Sequence, residues 1–215
     1  MKIVTVVGAR PQFIKAAAGS RQLRKEHQEI LVHTGQHFDD NMSAVFFREM
    51  EIPAPDYNLG ISGGTHAQMT ARMLTGIEEI LLKEKPNALL VYGDTNSTLA
   101  AALAAVKLHI PVLHVEAGNR LGTLDNPEEV NRIVADHMAT LNFCATEDAL
   151  EKLKKEGLGD HSYCVGNIMY DSFLHFANRP WTNSNILDFG GNKVKIPKEF
   201  YYMTCHRQEI RRAHV

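Results

Sequence analysis

The stretch LLVYGDTNSTLAAALAAVKLHIPVLHVEAGN, residues 89–119, decides the fold. Its first apolar run ends at Gly93-Asp94, an Ala- and Leu-rich segment follows, and a second apolar run ends at Glu116. This pattern predicts strand, helix, strand, because parallel strands that are buried on both faces read as continuous apolar runs. Sheets of this kind bind ligands in the crevice beyond the carboxyl ends of their strands. Asp94 and Glu116 stand at two such ends and are therefore the first candidates for chemistry.

The same alternation continues on both sides of this stretch. Residues 2–7 form a β-rich run that Gly8 interrupts, and Pro11 suits the first turn of a helix because its missing N–H costs little there. Six or seven apolar runs alternate with segments of helical periodicity. They predict an α/β fold with a Rossmann-like, mostly parallel sheet and helices on both faces. The first loop holds a single Gly before Arg10, which argues against a GxGxxG dinucleotide site.

Composition and charge exclude several classes of partner. The 215 residues are 44% hydrophobic and 22% charged, as in an ordinary globular protein, and the formal net charge of -2 provides no basic field for nucleic acid. No apolar run approaches the roughly 18 residues that a membrane span needs. The N-terminus, MKIVTVVGARP, lacks the cleavage site of a signal peptide. Cys144, Cys164 and Cys205 are widely spaced, which favours free thiols in a reducing cytoplasm over a metal or redox site.

Charged side chains gather around predicted helix starts and strand ends. Arg10 and Lys15 lie beside the start of the first helix, where anions are favoured, although a solvated basic face would show the same residues. Asp94 serves either in catalysis or as a simple cap of the following helix. Glu116 ends a buried strand, where an unpaired carboxylate is costly, and this favours a function. Glu128 is one of two adjacent acids in a predicted first turn, and it is either functional or an ordinary first-turn acid.

The composition changes at residue 178, which suggests a domain boundary. We expect an N-terminal Rossmann-like domain at 1–177, an Asn-, Gly- and Pro-rich linker at 178–197, and the first strand of a second domain at 198–215. Because a single strand does not build a core, the sequence is expected to be cut short.

Seven short motifs occur in order along the chain, and together they resemble one family of enzymes. That family comprises the non-hydrolysing UDP-N-acetylglucosamine 2-epimerases and their relatives that act on UDP-diacetamido-sugar acids. The motifs are GARPQFIK (8–15), TGQHFD (34–39), YGDTNST (92–98), HVEAGNR (114–120), PEEVNR (127–132), VGNIMYD (165–171) and CHRQE (205–209). The resemblance covers residues 1–209. It implies two Rossmann-like domains in the glycosyltransferase-B arrangement, of which this chain holds the N-terminal half.

The resemblance also implies a reaction and the residues that perform it. Members of the family invert C2 of the hexosamine by eliminating UDP to a 2-acetamidoglucal and adding it back on the other face, which requires a positioned base and acid. The acid/base carboxylates would be Asp94, Glu116 and Glu128, and His206 would assist the departing diphosphate. The matches assigned to binding of the UDP-sugar are Arg10, Lys15, Gln36, His37 and Arg120. No metal or nicotinamide cofactor is expected, because the chemistry is proton transfer and elimination.

Some matches point to a particular branch of the family or to regulation. Gln36 and His37, with Arg72, match positions where some bacterial members bind a second, allosteric UDP-N-acetylglucosamine. Asn119 stands where many members carry Leu, and the segment 121–126 is short, which favours the diacetamido-sugar branch.

The expected function is therefore that of a UDP-N-acetylglucosamine 2-epimerase, with this chain an inactive fragment. Three alternatives stay open: a 2-epimerase for a UDP-2,3-diacetamido-sugar acid, a glycosyltransferase-B sugar transferase, and a non-catalytic remnant that binds a nucleotide sugar. The PEEVNR motif and the paired carboxylates Asp94 and Glu116 speak against the transferase. The resemblance further implies a cytoplasmic homodimer that serves polysaccharide biosynthesis.

Overall fold

The computed structural model describes residues 1–36 and 44–177, together with residues 192, 194 and 199. Met1–Ala177 forms one compact unit, and all the elements below belong to it. The predicted roles of His37 and His206 fall on residues outside this description, as do most of the predicted linker and the predicted strand that follows it. The proposed domain organisation therefore stays a prediction.

Strands and helices alternate along the described residues. The strands are β1 (Lys2–Val7), β2 (Gln28–His33), β3 (Tyr57–Asn58), β4 (Ala88–Tyr92), β5 (Val112–Ala117), β6 (Leu141–Cys144) and β7 (Ser162–Cys164). The helices are α1 (Arg10–Leu23), α2 (Ala44–Glu49), α3 (His66–Glu84), α4 (Asn96–Lys107), α5 (Pro127–Met138), α6 (Glu147–Lys155) and α7 (Ile168–Phe176). The strand at residues 2–7 and the strand, helix and strand within 89–119 lie where the sequence predicts them, to within a residue or two at their ends.

The described strands form one sheet in the order β3-β2-β1-β4-β5-β6-β7, and every pair is parallel. The chain builds outward from β1 to β3, then returns to the other side of β1 and continues outward from β4. The strand order thus reverses between β1 and β4, and such a switch point opens a crevice beyond the carboxyl ends of the strands. The predicted Rossmann-like α/β sheet is confirmed.

The central strand β1 is buried on both faces. Val4 and Val6 pack into one core with α3 and α4, whereas Ile3 and Val7 pack into a second core with α1. Because successive side chains of a strand leave opposite faces, helices on both sides of the sheet explain the continuous apolar runs in the sequence. Burial of each such side chain stabilises the fold by about 1.5–3 kcal/mol. The two cores therefore hold the strand ends, and the loops that follow them, in place.

Polar side chains begin the helices that start next to the strand ends. Thr95 Oγ1 accepts a hydrogen bond from the backbone N–H of Thr98 at 3.3 Å, at the start of α4. At the start of α6, Thr146 Oγ1 accepts a hydrogen bond from the backbone N–H of Ala149 at 3.2 Å. Both threonines thereby satisfy backbone donors that a helix start leaves open.

Helix α7 packs on α1 and leaves much of its apolar side exposed. Ser172 Oγ donates a hydrogen bond to the carbonyl oxygen of Ile14 at 2.7 Å. Tyr170, Phe173 and Leu174, however, are 59%, 64% and 51% exposed. These three large apolar side chains are therefore not part of a core. Within the described residues, no helix combines the length and the apolar character that crossing a bilayer would require.

Candidate functional site

The carboxyl ends of β4 and β5 bring the two first candidate carboxylates to one edge of the sheet. Lys15 of α1 reaches across this edge, and its Nζ pairs with Oε2 of Glu116. The turn that carries Asp94 lies beside this pair. A methyl group placed on Gly93 would lie 3.2 Å from Nζ of Lys15 and 3.7 Å from Oε2 of Glu116. The sequence predicted that Lys15 binds an anion, and in the structure the anion that it contacts is the carboxylate of Glu116.

Glu116 adopts a backbone conformation that L-residues avoid. Its φ is +71°, and the register of β5 against β6 shifts between Val115 and Ala117. The left-handed region costs a residue with a side chain roughly 1–2 kcal/mol, and bulges of this kind re-aim a side chain at a strand end. Such strained residues gather at functional sites. The strain at Glu116 is therefore independent structural support for the role that its position suggested.

The pKa of Lys15 depends on its burial and on the charges of Asp94 and Arg132. Burial lowers the pKa of Lys15 below its usual value, the negative charge of Asp94 raises it, and the positive charge of Arg132 lowers it again. The side chain is only 7% exposed, whereas Glu116 is 30% exposed. The buried ammonium group therefore holds a carboxylate that stays accessible from outside.

Asp94 is held by an arginine that sequence reasoning did not single out. Arg132 of α5 pairs through Nη2 with Oδ2 of Asp94 and through Nη1 with Oε2 of Glu129. Asp94 is still 32% exposed. Thr95, not Asp94, caps α4, so the simpler interpretation of Asp94 as a helix cap is wrong. The signal for Arg132 was its place in PEEVNR, three residues after an acid, the spacing of a helical ion pair.

The two adjacent acids of α5 have different surroundings. Glu129 is 1% exposed, and its Oε1 accepts hydrogen bonds from the backbone N–H groups of Leu121 at 2.7 Å and Gly122 at 3.1 Å. Glu128 is partly exposed, and its own backbone N–H donates to Oδ1 of Asn126 at 2.9 Å. Glu129 therefore holds the preceding loop, which supports Glu128 as the member of the pair available for chemistry.

Gln12 ties the loop after β1 to the end of β4. Its Oε1 accepts hydrogen bonds from the backbone N–H groups of Gly8 at 2.8 Å and Ala9 at 3.1 Å, and its Nε2 donates to the carbonyl oxygen of Tyr92 at 2.8 Å. A methyl group on Gly8 would lie 2.2 Å from Oγ of Ser97, a distance that no packing tolerates. This loop therefore requires glycine, and Gln12 is a second residue that the sequence did not reveal.

The remaining binding candidates lie around this edge with different partners. Arg10 is the first residue of α1 and is partly exposed. Oε1 of Gln36 accepts a hydrogen bond from Oγ of Ser97 at 3.0 Å. Arg120 binds Asp136 at 2.6 Å and Glu156 at 2.7 Å, and its guanidinium is directed to these carboxylates. Substrate contact by Arg10, Gln36 and Arg120 stays a prediction.

Neither cysteine of the described unit takes part in the site. Cys144 is buried in a small core with α6, and both Cys144 and Cys164 are free thiols, as the sequence predicted. Burial raises the pKa of the Cys144 thiol to about 11. Among the described residues, no group of three or more His, Cys, Asp or Glu side chains is arranged to hold a metal ion.

Known proteins with similar sequences are 2-epimerases of UDP-sugars or a homolog of one. The chain matches the family model described as UDP-N-acetylglucosamine 2-epimerase over residues 21–214. It is 50% identical over 214 residues to the UDP-2,3-diacetamido-2,3-dideoxy-D-glucuronate 2-epimerase of Pseudomonas aeruginosa, covering 97% of this chain and 58% of that protein. It is 51% identical over 211 residues to a UDP-N-acetylglucosamine 2-epimerase homolog of Methanococcus maripaludis, with the same two coverages. The chain thus spans 58% of the length of these relatives.

A solved structure with the same fold supports this similarity. The UDP-N-acetylglucosamine 2-epimerase of Methanocaldococcus jannaschii, in complex with UDP-N-acetylglucosamine and UDP, superimposes with a TM-score of 0.80 at 44% sequence identity. The match covers 81% of this chain and 49% of that chain. The seven-stranded unit therefore corresponds to about half of a glycosyltransferase-B type fold, in agreement with the sequence prediction.

Proposed function

Because the chain belongs to the UDP-N-acetylglucosamine 2-epimerase family, we propose that the whole protein is a UDP-sugar 2-epimerase. This chain contributes the acid/base carboxylates Asp94, Glu116 and Glu128. The observation that carries the proposal is the pairing of two accessible carboxylates with buried cations at one edge of the sheet, Glu116 with Lys15 and Asp94 with Arg132. The cations hold both carboxylates in place while each stays partly exposed, so the edge presents two candidate bases to a bound sugar.

The proposed reaction balances without any redox partner. An ionised carboxylate removes the proton from C2, and the electron pair of the C2–H bond forms the C1–C2 double bond. The C1–O bond breaks at the same time, and UDP leaves with its electron pair. UDP then adds back to C1 while an acid delivers a proton to the opposite face of C2, which inverts that centre. Such steps require a base and an acid placed on the two faces of the ring.

The diphosphate of the substrate would bind near the start of α1. Arg10 is the first residue of this helix and places a cation there, whereas Lys15 contacts Glu116, and the positive end of a helix dipole favours anions. By the motif match, His206 assists the departing diphosphate. Stabilisation of charge that develops on a leaving group is commonly the largest catalytic contribution, so Arg10 is proposed as a binding residue and His206 as a catalytic one.

Two UDP-sugars are candidate substrates. UDP-N-acetylglucosamine is named in the family description and in the bound Methanocaldococcus jannaschii structure. UDP-2,3-diacetamido-2,3-dideoxy-D-glucuronate is the substrate named for the Pseudomonas aeruginosa relative at 50% identity, whereas the Methanococcus maripaludis relative at 51% identity is named as a UDP-N-acetylglucosamine 2-epimerase homolog. We further propose that the whole protein is a cytoplasmic homodimer that serves polysaccharide biosynthesis. Sedimentation analysis of the whole protein would test the dimer.

Hydrogen exchange at C2 tests the proposed reaction. The whole protein and the 215-residue chain would each be incubated with either UDP-sugar in deuterated water. We expect the whole protein to introduce deuterium at C2 of one substrate, as read by NMR and mass spectrometry, because the proton that returns comes from solvent-exchanged acids. Absence of exchange on both substrates by the folded whole protein contradicts the proposal, and sugar transfer to an acceptor without exchange indicates a transferase.

Single substitutions connect that exchange to the site. Asp94→Asn and Glu116→Gln remove the ionised oxygen while keeping the shape, and each is expected to slow exchange by about 100-fold or more. Glu151→Gln is the matched control, because Glu151 is a 55% exposed acid on α6, paired only with a neighbouring lysine in the described ion pairs. Equal rates for the control and the two site variants would remove these carboxylates from the mechanism.

A further inference from the structure

His114 of β5 lies between two loops of the candidate site and is completely buried. Its Nε2 is 2.7 Å from the carbonyl oxygen of Gly93, and its Nδ1 is 2.7 Å from Oδ1 of Asp136 in α5. The side chains of both His114 and Asp136 are 0% exposed. The imidazole ring therefore joins the turn after β4 to helix α5 out of reach of solvent.

Asp136 continues this connection to the loop after β5. Its Oδ2 accepts hydrogen bonds from the backbone N–H of Gly118 at 3.1 Å and from Nη1 of Arg120 at 2.6 Å. Arg120 also binds Glu156 through both of its other donor positions. Burial alone would raise the pKa of Asp136, but the hydrogen bonds and charges of His114 and Arg120 outweigh burial and hold it below its usual value.

The partners of the ring determine where its protons lie. A carbonyl oxygen only accepts hydrogen bonds, so Nε2 of His114 carries a proton. Asp136 is ionised and its Oδ2 already accepts two donors, so Oδ1 is the oxygen left to bind Nδ1 of His114. The ring thus bridges a backbone carbonyl and a carboxylate that Arg120 also binds, and Arg120 pairs in turn with Glu156. Pairing of every charge is the condition under which such a cluster is tolerated in a protein interior.

We propose that His114 and Asp136 form a positioning pair that sets the separation between the carboxylates Asp94 and Glu116. Gly93, which the ring holds, directly precedes Asp94, and Gly118, which Asp136 holds, follows Glu116 by two residues. These loops pass through the left-handed region, with φ of +64° at Gly93, +71° at Glu116 and +82° at Gly118. Such conformations persist only where surrounding contacts impose them.

The positioning role rests on the proposed function, and it differs from a merely structural one. Both side chains are buried, so neither contacts substrate and neither is catalytic. A matched structural example is Glu29 of β2, a buried carboxylate that accepts hydrogen bonds from Thr5 at 2.7 Å, Ser20 at 2.9 Å and Arg24 at 2.7 Å. Glu29 lies on the other side of β1 and makes none of its described contacts with the loops of the candidate site.

Steady-state kinetics of C2 exchange separate the two roles. In the whole protein, Asp136→Asn is expected to lower kcat by about 100-fold, because small displacements of reacting groups have effects of this size. KM is expected to change little, since no substrate contact is removed. Glu29→Gln is expected to lower the melting temperature without changing kcat of the folded fraction. A loss of kcat in Glu29→Gln equal to that in Asp136→Asn would overturn the proposal.

Two measurements on the 215-residue chain do not depend on catalysis. Nitrogen-15 NMR is expected to show a slowly exchanging proton on Nε2 of His114, held by the Gly93 carbonyl oxygen, and a ring without a proton on Nε2 would overturn the proposed pair. Amide hydrogen exchange reports the coupling between loops: the Gly93 N–H, which bonds to Val115 O at 2.9 Å, is expected to lose protection in Asp136→Asn and keep it in Glu29→Gln. Unchanged protection of Gly93 in Asp136→Asn would also overturn it. If the whole protein shows no C2 exchange, the proposed function fails while these two measurements still decide whether the pair exists.

Discussion

At the scale of single residues, the site depends on side chains held in costly states. Glu116 has a left-handed backbone, and Lys15 carries its ammonium group in a buried position. Each state lowers stability on its own, and the contact between them offsets part of that cost. Structures retain such arrangements where they serve a function, and this agrees with the proposed acid/base role of Glu116.

Replacement of Glu116 by glycine and by alanine tests the backbone strain. Both substitutions remove the carboxylate and its ion pair, so the difference between the stabilities of the two variants reports the cost of the backbone conformation. Because glycine adopts a φ of +71° at little cost and alanine does not, Glu116→Gly is expected to be more stable than Glu116→Ala by about 1 kcal/mol. Urea unfolding of the two variants measures this difference. Greater stability of the alanine variant would show that the strand end relaxes to an ordinary conformation.

The pH dependence of stability tests the burial of Lys15. Its pKa in the folded chain is lowered from 10.5, so the unfolded chain binds the proton more tightly. Stability is therefore expected to rise with pH from the folded pKa up to 10.5, where this contribution levels off. Carboxyl groups stay ionised in this alkaline range and add no slope. Urea unfolding of the wild-type chain and of Lys15→Met should show a steeper rise in the wild type, and parallel curves would contradict the burial.

At the scale of elements, helix α5 organises the site from one side. Its first turn holds the loop of Leu121 and Gly122 through Glu129, its second turn holds Asp94 through Arg132, and its last turn holds the loop after β5 through Asp136. The helix therefore contacts two loops from one rigid body: the turn after β4, and the loop after β5 at two points along it. Displacement of α5 along its axis would move all of these contacts together.

The two adjacent glutamates of α5 should respond differently to the same substitution. Glu129→Gln places an amide where three donors meet a carboxylate, and it is expected to cost about 1–3 kcal/mol of stability. Glu128→Gln is expected to change stability by less than about 0.5 kcal/mol but to reduce C2 exchange in the whole protein. Thermal unfolding and the exchange assay check both outcomes. If the two variants lose the same stability, the described division of roles is wrong.

At the scale of the whole molecule, the described unit exposes an apolar face on α7. Tyr170, Phe173 and Leu174 together present large side chains that are more than half exposed. Apolar patches of this kind mark surfaces that associate with another surface. The chain also spans only 58% of the length of its relatives, so its solution behaviour as a 215-residue chain is a separate question from that of the whole protein.

The 215-residue chain is expected to self-associate through this face. Light scattering should show an average mass above 24.0 kDa that rises with concentration, because burial of apolar surface drives association. Phe173→Gln is expected to shift the average mass toward the monomer. Leu82→Gln is the control, since Leu82 is 56% exposed on α3, away from α7. A monodisperse 24.0 kDa species at all concentrations would contradict the expectation.

The sequence alone determined the order of the elements and the position of Asp94 and Glu116 at strand ends. Those features depend on local patterns: continuous apolar runs, glycine and proline between them, and capping residues before the helices. In a parallel sheet the carboxyl ends of all strands lie on one edge, so the two carboxylates were expected at the same edge of the sheet. Seven motifs in register indicated the family for the same reason, since each is readable within a few residues.

Only the tertiary structure decided which partners hold these carboxylates. Arg132 lies 38 residues from Asp94, His114 lies 22 residues from Asp136, and Gln12 reaches Tyr92 across 80 residues. No local pattern encodes such pairs, because they depend on where helices dock against the sheet. The left-handed backbone of Glu116 was likewise invisible in the sequence, and the motif match that selected Glu128 over Glu129 gave no physical reason for that choice. Adjacent identical side chains differ only in which way the helix turns them, and backbone strain is imposed by the packing of the rest of the molecule.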